Sequence, residues 1–199
     1  MNTRTLGLIG MISSPFLAID FFASGIFDNY QPTSLSGVFN LIYMTGWLCC
    51  IVALYRLRAT GNISFGRGVL ITQMILLSLG ETWNLYAIIE PTANTILFRI
   101  LDWFWPISNS FMFVTGLSVI AGKRLQGWRR YMPLVVGLWL PICLVSIHFL
   151  FGKTTASLYT TSLYSATAWF LLALAVYTSK REKVRINLEE AIPQLRTMA

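Results

Sequence analysis

The sequence predicts an all-α, polytopic membrane protein, with six transmembrane helices in one bundle and both termini in the cytoplasm. Three observations predict this fold class. Hydrophobic residues make up 55% of the 199 residues and charged residues only 12%, about half the charged share of an ordinary soluble domain. Six apolar stretches are each long enough to cross a bilayer. Lys and Arg residues are also concentrated in every second connection, on the side of the N-terminus, as the positive-inside rule requires.

The six predicted spans follow one another with short connections. A span needs about 20 apolar residues, because an α-helix rises about 1.5 Å per residue. The connections contain the Gly, Pro, Asn and Thr residues that favour turns. Within a transmembrane domain of residues 1–179, the predicted spans are approximately 5–27, 36–57, 68–89, 98–120, 131–151 and 156–178, and residues 180–199 form a basic, polar cytoplasmic tail.

Positive charge sets the predicted orientation. If six spans alternate, thirteen of the fifteen Lys and Arg residues lie on the side of the N-terminus, and only Arg99 and Lys153 lie on the other side. Such an excess in short connections marks the cytoplasmic side. The net charge of +7 is therefore explained by the membrane topology, and it indicates no nucleic-acid partner. We expect the basic connections and the tail to contact anionic lipid headgroups at the cytoplasmic face of the plasma membrane.

One His and three Cys exclude several kinds of site. The chain alone cannot build a multi-His zinc site or a bis-His haem site, and it has no CxxC pair. We expect Cys49, Cys50 and Cys143 to be free thiols packed as small hydrophobic residues. No predicted span contains the Lys that a retinal Schiff base requires, and no motif identifies a family. The sequence predicts neither a metal nor a cofactor.

Polar groups inside the predicted spans are the candidate functional residues, because they are costly in a bilayer. With each span midpoint at the membrane centre, Asp20, Glu81 and Asp102 all fall in the outer half. Helical spacing places the polar residues of four spans on one stripe per span. We expect these stripes to meet in a cavity open to the outside. The primary candidates are Asp20, Glu81, Asn84, Asp102, Trp105 and Asn109.

Four further residues are secondary candidates. Arg99 lies one helical turn before Asp102, so we expect an ion pair between them. Trp83 and Trp105 neighbour the acids in sequence, where an aromatic face can hold an organic cation; an interfacial aromatic belt is the alternative explanation. The secondary candidates are His148, Arg99, Trp83 and Tyr43.

The pattern favours a cavity that binds or transports a cation or a protonatable organic molecule, with transporter-like function. Glu81 is the candidate proton relay, because burial of a carboxylate near the bilayer centre favours proton uptake. One alternative is an intramembrane enzyme that acts on a lipid or isoprenoid with two carboxylates as general acid and base, although no nucleophile or metal set accompanies them. A second alternative is a structural or assembly subunit whose polar stripes contact partner helices.

Overall fold

The computed structural model describes residues 1–24, 33–62 and 64–179, and all regular secondary structure in these ranges is helical. Residues 25–27 of the first predicted span and the predicted tail 180–199 lie outside the described residues. The described helices form six rods, of which three are continuous and three are broken. The helices are α1 (Thr3–Ser13), α2 (Phe16–Ser24), α3 (Ser34–Arg56), α4 (Ser64–Ile89), α5 (Ile96–Asp102), α6 (Phe104–Gly122), α7 (Met132–Gly137), α8 (Trp139–Val145) and α9 (Thr155–Thr178).

A 3₁₀ turn, Gly127–Tyr131, precedes α7, and a π-helical turn, Ser146–Leu150, follows α8. The first, fourth and fifth rods are therefore α1 with α2, α5 with α6, and α7 with α8 and their flanking turns. The second, third and sixth rods are the continuous helices α3, α4 and α9.

Each broken rod contains a proline at or near its break. Pro15 separates α1 from α2, whereas Pro106 and Pro141 each follow a break by three residues. Proline has no N–H for the carbonyl four residues earlier, and its ring clashes with that carbonyl. In the first rod the Ser14 hydroxyl donates instead to the Met11 carbonyl, at 2.9 Å. The fifth rod bends by 51° between its two halves.

Four helical stretches are long and apolar enough to cross a membrane, and the bent fifth rod makes five if it is one span. Helix α4 is long enough at 26 residues, but Gln73, Glu81 and Asn84 lower its hydropathy. The structure is therefore all-helical in its described part, with four to five candidate membrane spans. The six-span count and the orientation of the termini stay predictions. The four stretches are Thr3–Ala23, Ser34–Arg56, Ile96–Gly122 and Thr155–Thr178.

Neighbouring rods along the chain run in opposite directions, so the bundle has two ends. Gly37, near the start of α3, lies against Ile88 at the end of α4. Gly7, near the start of α1, lies against Tyr177 at the end of α9. We name the end with connections 90–95 and 151–154 the cavity end, and the end with connections 57–62 and 123–126 the arginine end.

Glycines allow close backbone contacts in the half of the bundle toward the arginine end, which we name the packed half. A Cβ atom added at Gly7 would lie 2.7 Å from the Tyr177 backbone nitrogen. A Cβ atom added at Gly137 would lie 2.5 Å from the Phe113 backbone nitrogen. Neither position has room for a side chain, so glycine sets the separation of α1 from α9 and of α6 from α7.

Candidate functional site

A cavity of about 370 Å³ lies in the other half of the bundle, which we name the cavity half. Five of the six rods contribute to its wall, and α9 contributes none of the residues that line it. Most of the wall is apolar, as in typical small-molecule sites. The apolar part consists of Leu17, Phe21, Leu140, Cys143, Leu144 and Ile147. The remainder consists of Asp20, Asn40, Asn84, Asp102, Trp83, Trp105 and Trp139.

Asp20 is the buried carboxylate of the cavity. It lies on α2 just beyond the Pro15 break and is only 1% exposed. Asn40 Nδ2 donates to Asp20 Oδ2 at 2.9 Å and also to the Ser36 carbonyl at 3.0 Å. This contact joins α2 to α3 and fixes one carboxylate in the wall. A buried acid is costly unless it is hydrogen-bonded, and Asn40 supplies part of that stabilisation.

Asp102 is the second carboxylate and lies at the surface. It is the last residue of α5, next to the break at Trp103, and its side chain is exposed although it lines the cavity. Leu144 on α8 also lines the cavity and is 48% exposed. The cavity therefore reaches the protein surface near Asp102 and Leu144, while Asp20 lies in its buried part.

Two neighbouring residues of α4 bring unpartnered polar atoms to the cavity wall. The Trp83 indole nitrogen and Asn84 Oδ1 are buried and have no hydrogen-bond partner among the described residues. Asn84 Nδ2 donates to the Met44 thioether sulfur at 3.1 Å. Both side chains line the cavity, but their unpartnered atoms are enclosed by the wall.

Aromatic rings form one side of the cavity. The ring centroids of Trp105 and Trp139 are 5.1 Å apart, and their planes are 80° apart. Phe21 stacks on Trp139 at 6.4 Å. Edge-to-face packing holds such rings in fixed positions. The aromatic faces and the carboxylates belong to one site.

Four of the six primary candidates line the cavity: Asp20, Asn84, Asp102 and Trp105. Glu81 does not. It is half-buried, and the exposed Thr45 hydroxyl donates to Glu81 Oε1 at 2.9 Å. Asn109 does not line the cavity either. It is fully buried, and its Nδ2 atom donates to the Trp105 carbonyl one turn earlier, at 3.0 Å.

The secondary candidates also divide into residues that line the cavity and residues that do not. Trp83 lines the cavity, but the predicted ion pair between Arg99 and Asp102 is wrong. Arg99 turns back to the preceding connection, where its Nε and Nη2 atoms both donate to Asn94 Oδ1, at 2.9 and 2.6 Å. Asn94 Oδ1 thus accepts from two of the Arg99 nitrogen atoms, and Asp102 lines the cavity without this arginine.

Tyr43 and His148 lie away from the cavity wall. Tyr43 is buried in the aromatic core, with its ring centroid 5.3 Å from that of Trp169. His148 is exposed on the π-helical turn that follows α8 and does not line the cavity. The version of the enzyme hypothesis in which Asp102 and His148 act on one substrate atom therefore has no support from this geometry.

On the fifth rod, sequence reasoning singled out His148 and missed the residues that line the cavity. Trp139 and Cys143 line the cavity, but neither is ionisable in the way that drew attention to the other spans. The available signal was Pro141, because a proline-induced bend often accompanies a cavity between helices. Asn40 was also omitted from the site, although it shares a helical stripe with Tyr43.

The described residues contain no group of three or more His, Cys, Asp or Glu side chains that could hold a metal ion. The three cysteines are free thiols; Cys50 and Cys143 are buried and Cys49 is half-buried. Comparison of the chain with protein-family models, with curated proteins and with solved structures gives no match. The function therefore has to be argued from the geometry of the cavity.

Proposed function

We propose that the chain is a six-span plasma-membrane protein whose cavity binds a small organic cation with an apolar body, as part of a transporter-like function. The observation that carries the proposal is the presence of two carboxylates, one buried and one at the surface, in an apolar cavity walled by tryptophans. A few placed polar groups in an apolar pocket are typical of small-molecule sites. Among the described residues, Asp20 and Asp102 are the only charged ones that line it.

The wall chemistry selects the class of ligand. A carboxylate attracts an ammonium group, and the faces of Trp105 and Trp139 attract cations and pack against apolar groups. Asn84 and Trp83 add a polar amide and an indole to the same wall. A molecule that combines an apolar ring with a positively charged nitrogen meets most of these groups at once.

Ligand binding is tested by tryptophan fluorescence of the detergent-purified chain, because three of its seven tryptophans line the cavity. The probe is benzyltrimethylammonium, and neopentylbenzene is its neutral analogue of the same shape. The cation is expected to bind and its neutral analogue to bind less tightly. Asp20→Asn should weaken cation binding by at least about tenfold, because a buried charge partner is lost. Asp102→Asn should weaken it by only about two- to threefold, because this carboxylate is exposed.

The matched control is Glu90→Gln, which removes an exposed acid near the cavity end that does not line the cavity. It should leave the affinity unchanged. Equal affinities for the cation and its neutral analogue, or equal losses in Asp20→Asn and Glu90→Gln, would contradict the proposed site. Uptake of radiolabelled benzyltrimethylammonium into proteoliposomes then separates transport from binding alone.

The proposed topology places the arginine end in the cytoplasm, because eight of the ten described basic residues lie in or near its connections, and only Arg99 and Lys153 lie near the cavity end. It is tested with a membrane-impermeant maleimide on cells, after Cys49, Cys50 and Cys143 have been replaced by Ser. Thr92→Cys at the cavity end should react in intact cells. Gln126→Cys at the arginine end should react only after permeabilisation. The reverse result contradicts the orientation, and reaction of both in intact cells contradicts the alternation of the spans.

A second candidate function, as an assembly subunit, is favoured by Glu81. This carboxyl group is half-buried away from the cavity wall, and it accepts a hydrogen bond from the exposed Thr45 hydroxyl. A partner helix could bond this polar pair, since polar side chains link helices within membranes. Glu81→Leu should then shift the chain to a smaller species in native mass spectrometry. An unchanged mass would exclude assembly through this residue.

A further inference from the structure

A second polar cavity, of about 440 Å³, lies at the arginine end. The start of α1, the end of α3 with the residues after it, and the first turn of α4 meet there. Three of the six residues that line it are arginines, and the others are small or hydroxyl-bearing polar residues. They are Asn2, Thr3, Tyr55, Arg56, Arg58 and Arg67.

The three guanidinium groups have no carboxylate partner among the described residues. Arg56 Nη1 donates to the Met1 carbonyl, and Arg58 Nη1 donates to Asn62 Oδ1 at 3.4 Å. Arg67 has neither a hydrogen bond nor an ion pair with a described residue. Three positive charges that share one cavity repel each other, and the two neutral acceptors do not remove that charge.

The backbone at Arg58 adds an independent observation. Arg58 has φ +53°, the left-handed conformation, two residues beyond the end of α3. Glycine or asparagine usually occupies this position after a helix, because other side chains are strained there. Retained backbone strain is common at ligand-binding positions. Here it accompanies a side chain that lines the arginine-rich cavity.

We propose that this cavity binds a phosphate group. Guanidinium groups present planar pairs of N–H donors that match the oxygens of a phosphate, and three of them can surround a tetrahedral anion. The hydroxyls of Thr3 and Tyr55 offer further hydrogen bonds. The phosphate belongs either to a lipid headgroup or to a soluble phosphate ester. The exposed rings of Tyr55, which lines the cavity, and Phe65, on the first turn of α4, suit nearby acyl chains.

The test uses the full chain purified in detergent and one probe for each source. Dioleoylphosphatidylglycerol retention is measured by native mass spectrometry, with dioleoylphosphatidylcholine as the reference lipid. Inorganic phosphate binding is measured by equilibrium dialysis with a radiolabel. The variant Arg58→Gln with Arg67→Gln should weaken binding of whichever probe binds by about tenfold or more, because two charge-assisted contacts are lost.

The matched control is Lys123→Gln with Arg124→Gln. It removes the same charge from the same end of the bundle and also includes a residue with positive φ, Lys123 at +52°. Neither control residue lines the cavity, so binding should change by less than about twofold. Circular dichroism establishes that both double variants remain helical.

A third variant, Arg58→Lys with Arg67→Lys, keeps the charge but loses the forked donors. Its binding should lie between those of the parent and the glutamine variant. Retention of the anionic lipid alone assigns the cavity to a headgroup, and binding of inorganic phosphate assigns it to a soluble ester. Equal losses in the two glutamine variants would reduce the effect to general surface charge and overturn the proposal. Binding of neither probe would also overturn it.

Discussion

The two halves of the bundle contain similar helices but pack in different ways. In the packed half, Gly7 and Gly137 bring helix backbones into direct contact. In the cavity half, Gly37 does the same for α3 and α4, but three rods are broken near Pro15, Pro106 and Pro141, and about 370 Å³ is left unfilled. The cavity therefore lies where helices are interrupted and not where large side chains are lacking.

The largest expected effect is in the packed half. Gly7→Ala should lower the free energy of unfolding by about 2–3 kcal/mol, because the added methyl group meets the Tyr177 backbone and a helix must move. Gly68→Ala is the matched control, since a Cβ atom there has nothing within 4 Å. It should stabilise the protein by up to about 1 kcal/mol. Denaturant titration of helicity measures both, and equal effects would contradict the close backbone contact at Gly7.

Much of the fold could be predicted from the sequence, because hydrophobic runs and prolines act locally. The apolar runs predict where helices occur, and Pro15, Pro106 and Pro141 predict that three of them are interrupted. Composition alone does not decide which of these helices cross a membrane. Helix α4 has the length of a span, yet polar residues such as Gln73 keep it outside the four candidate spans.

The candidate site could be predicted only in part, because helical spacing does not set how a helix is rotated in its bundle. Glu81 and Asn84 are three residues apart, and helical spacing predicts that they share one stripe. In the structure Asn84 lines the cavity, whereas Glu81 does not and bonds Thr45 on α3. The Trp139 wall was missed for another reason: its rod carries no acid to draw attention to it.

The second-largest expected effect is on ligand affinity, and it shows whether the cavity needs a helix break. Pro141→Ala restores an N–H group to the bent fifth rod, so the 51° bend should relax. Trp139 and Cys143 would then shift, and benzyltrimethylammonium should bind about five- to tenfold more weakly. A change of tenfold corresponds to about 1.4 kcal/mol. Fluorescence titration gives the affinity.

Pro133→Ala is the matched control for this variant. Pro133 is the second residue of α7, where a missing N–H costs little because the first turn has no acceptor for it. Binding should therefore stay at the parental level. If both proline variants bind as the parent does, the cavity does not depend on the bend, and the explanation of the two halves is wrong.

The smallest expected effect compares two buried amides on α4. Gln73 is bonded at both ends to α6: its Nε2 atom donates to the Ser108 carbonyl at 3.1 Å, and its Oε1 atom accepts from the Thr115 hydroxyl at 3.3 Å. Asn84 has an unpartnered oxygen toward the cavity, among the described residues. Gln73→Leu should lower the free energy of unfolding by about 1 kcal/mol, since contacts between membrane helices contribute about 0.6 kcal/mol each.

Asn84→Leu should change that free energy by less than about 0.5 kcal/mol, because the lost contact with the Met44 sulfur is weak. It should nevertheless weaken benzyltrimethylammonium binding, since a polar residue of the cavity wall is replaced by an apolar one. Gln73→Leu should leave binding unchanged. Denaturant and ligand titrations of the two variants separate the roles. A stability loss in Asn84→Leu as large as that in Gln73→Leu would show that the cavity amide is structural, and the ligand site would then rest on the carboxylates and tryptophans alone.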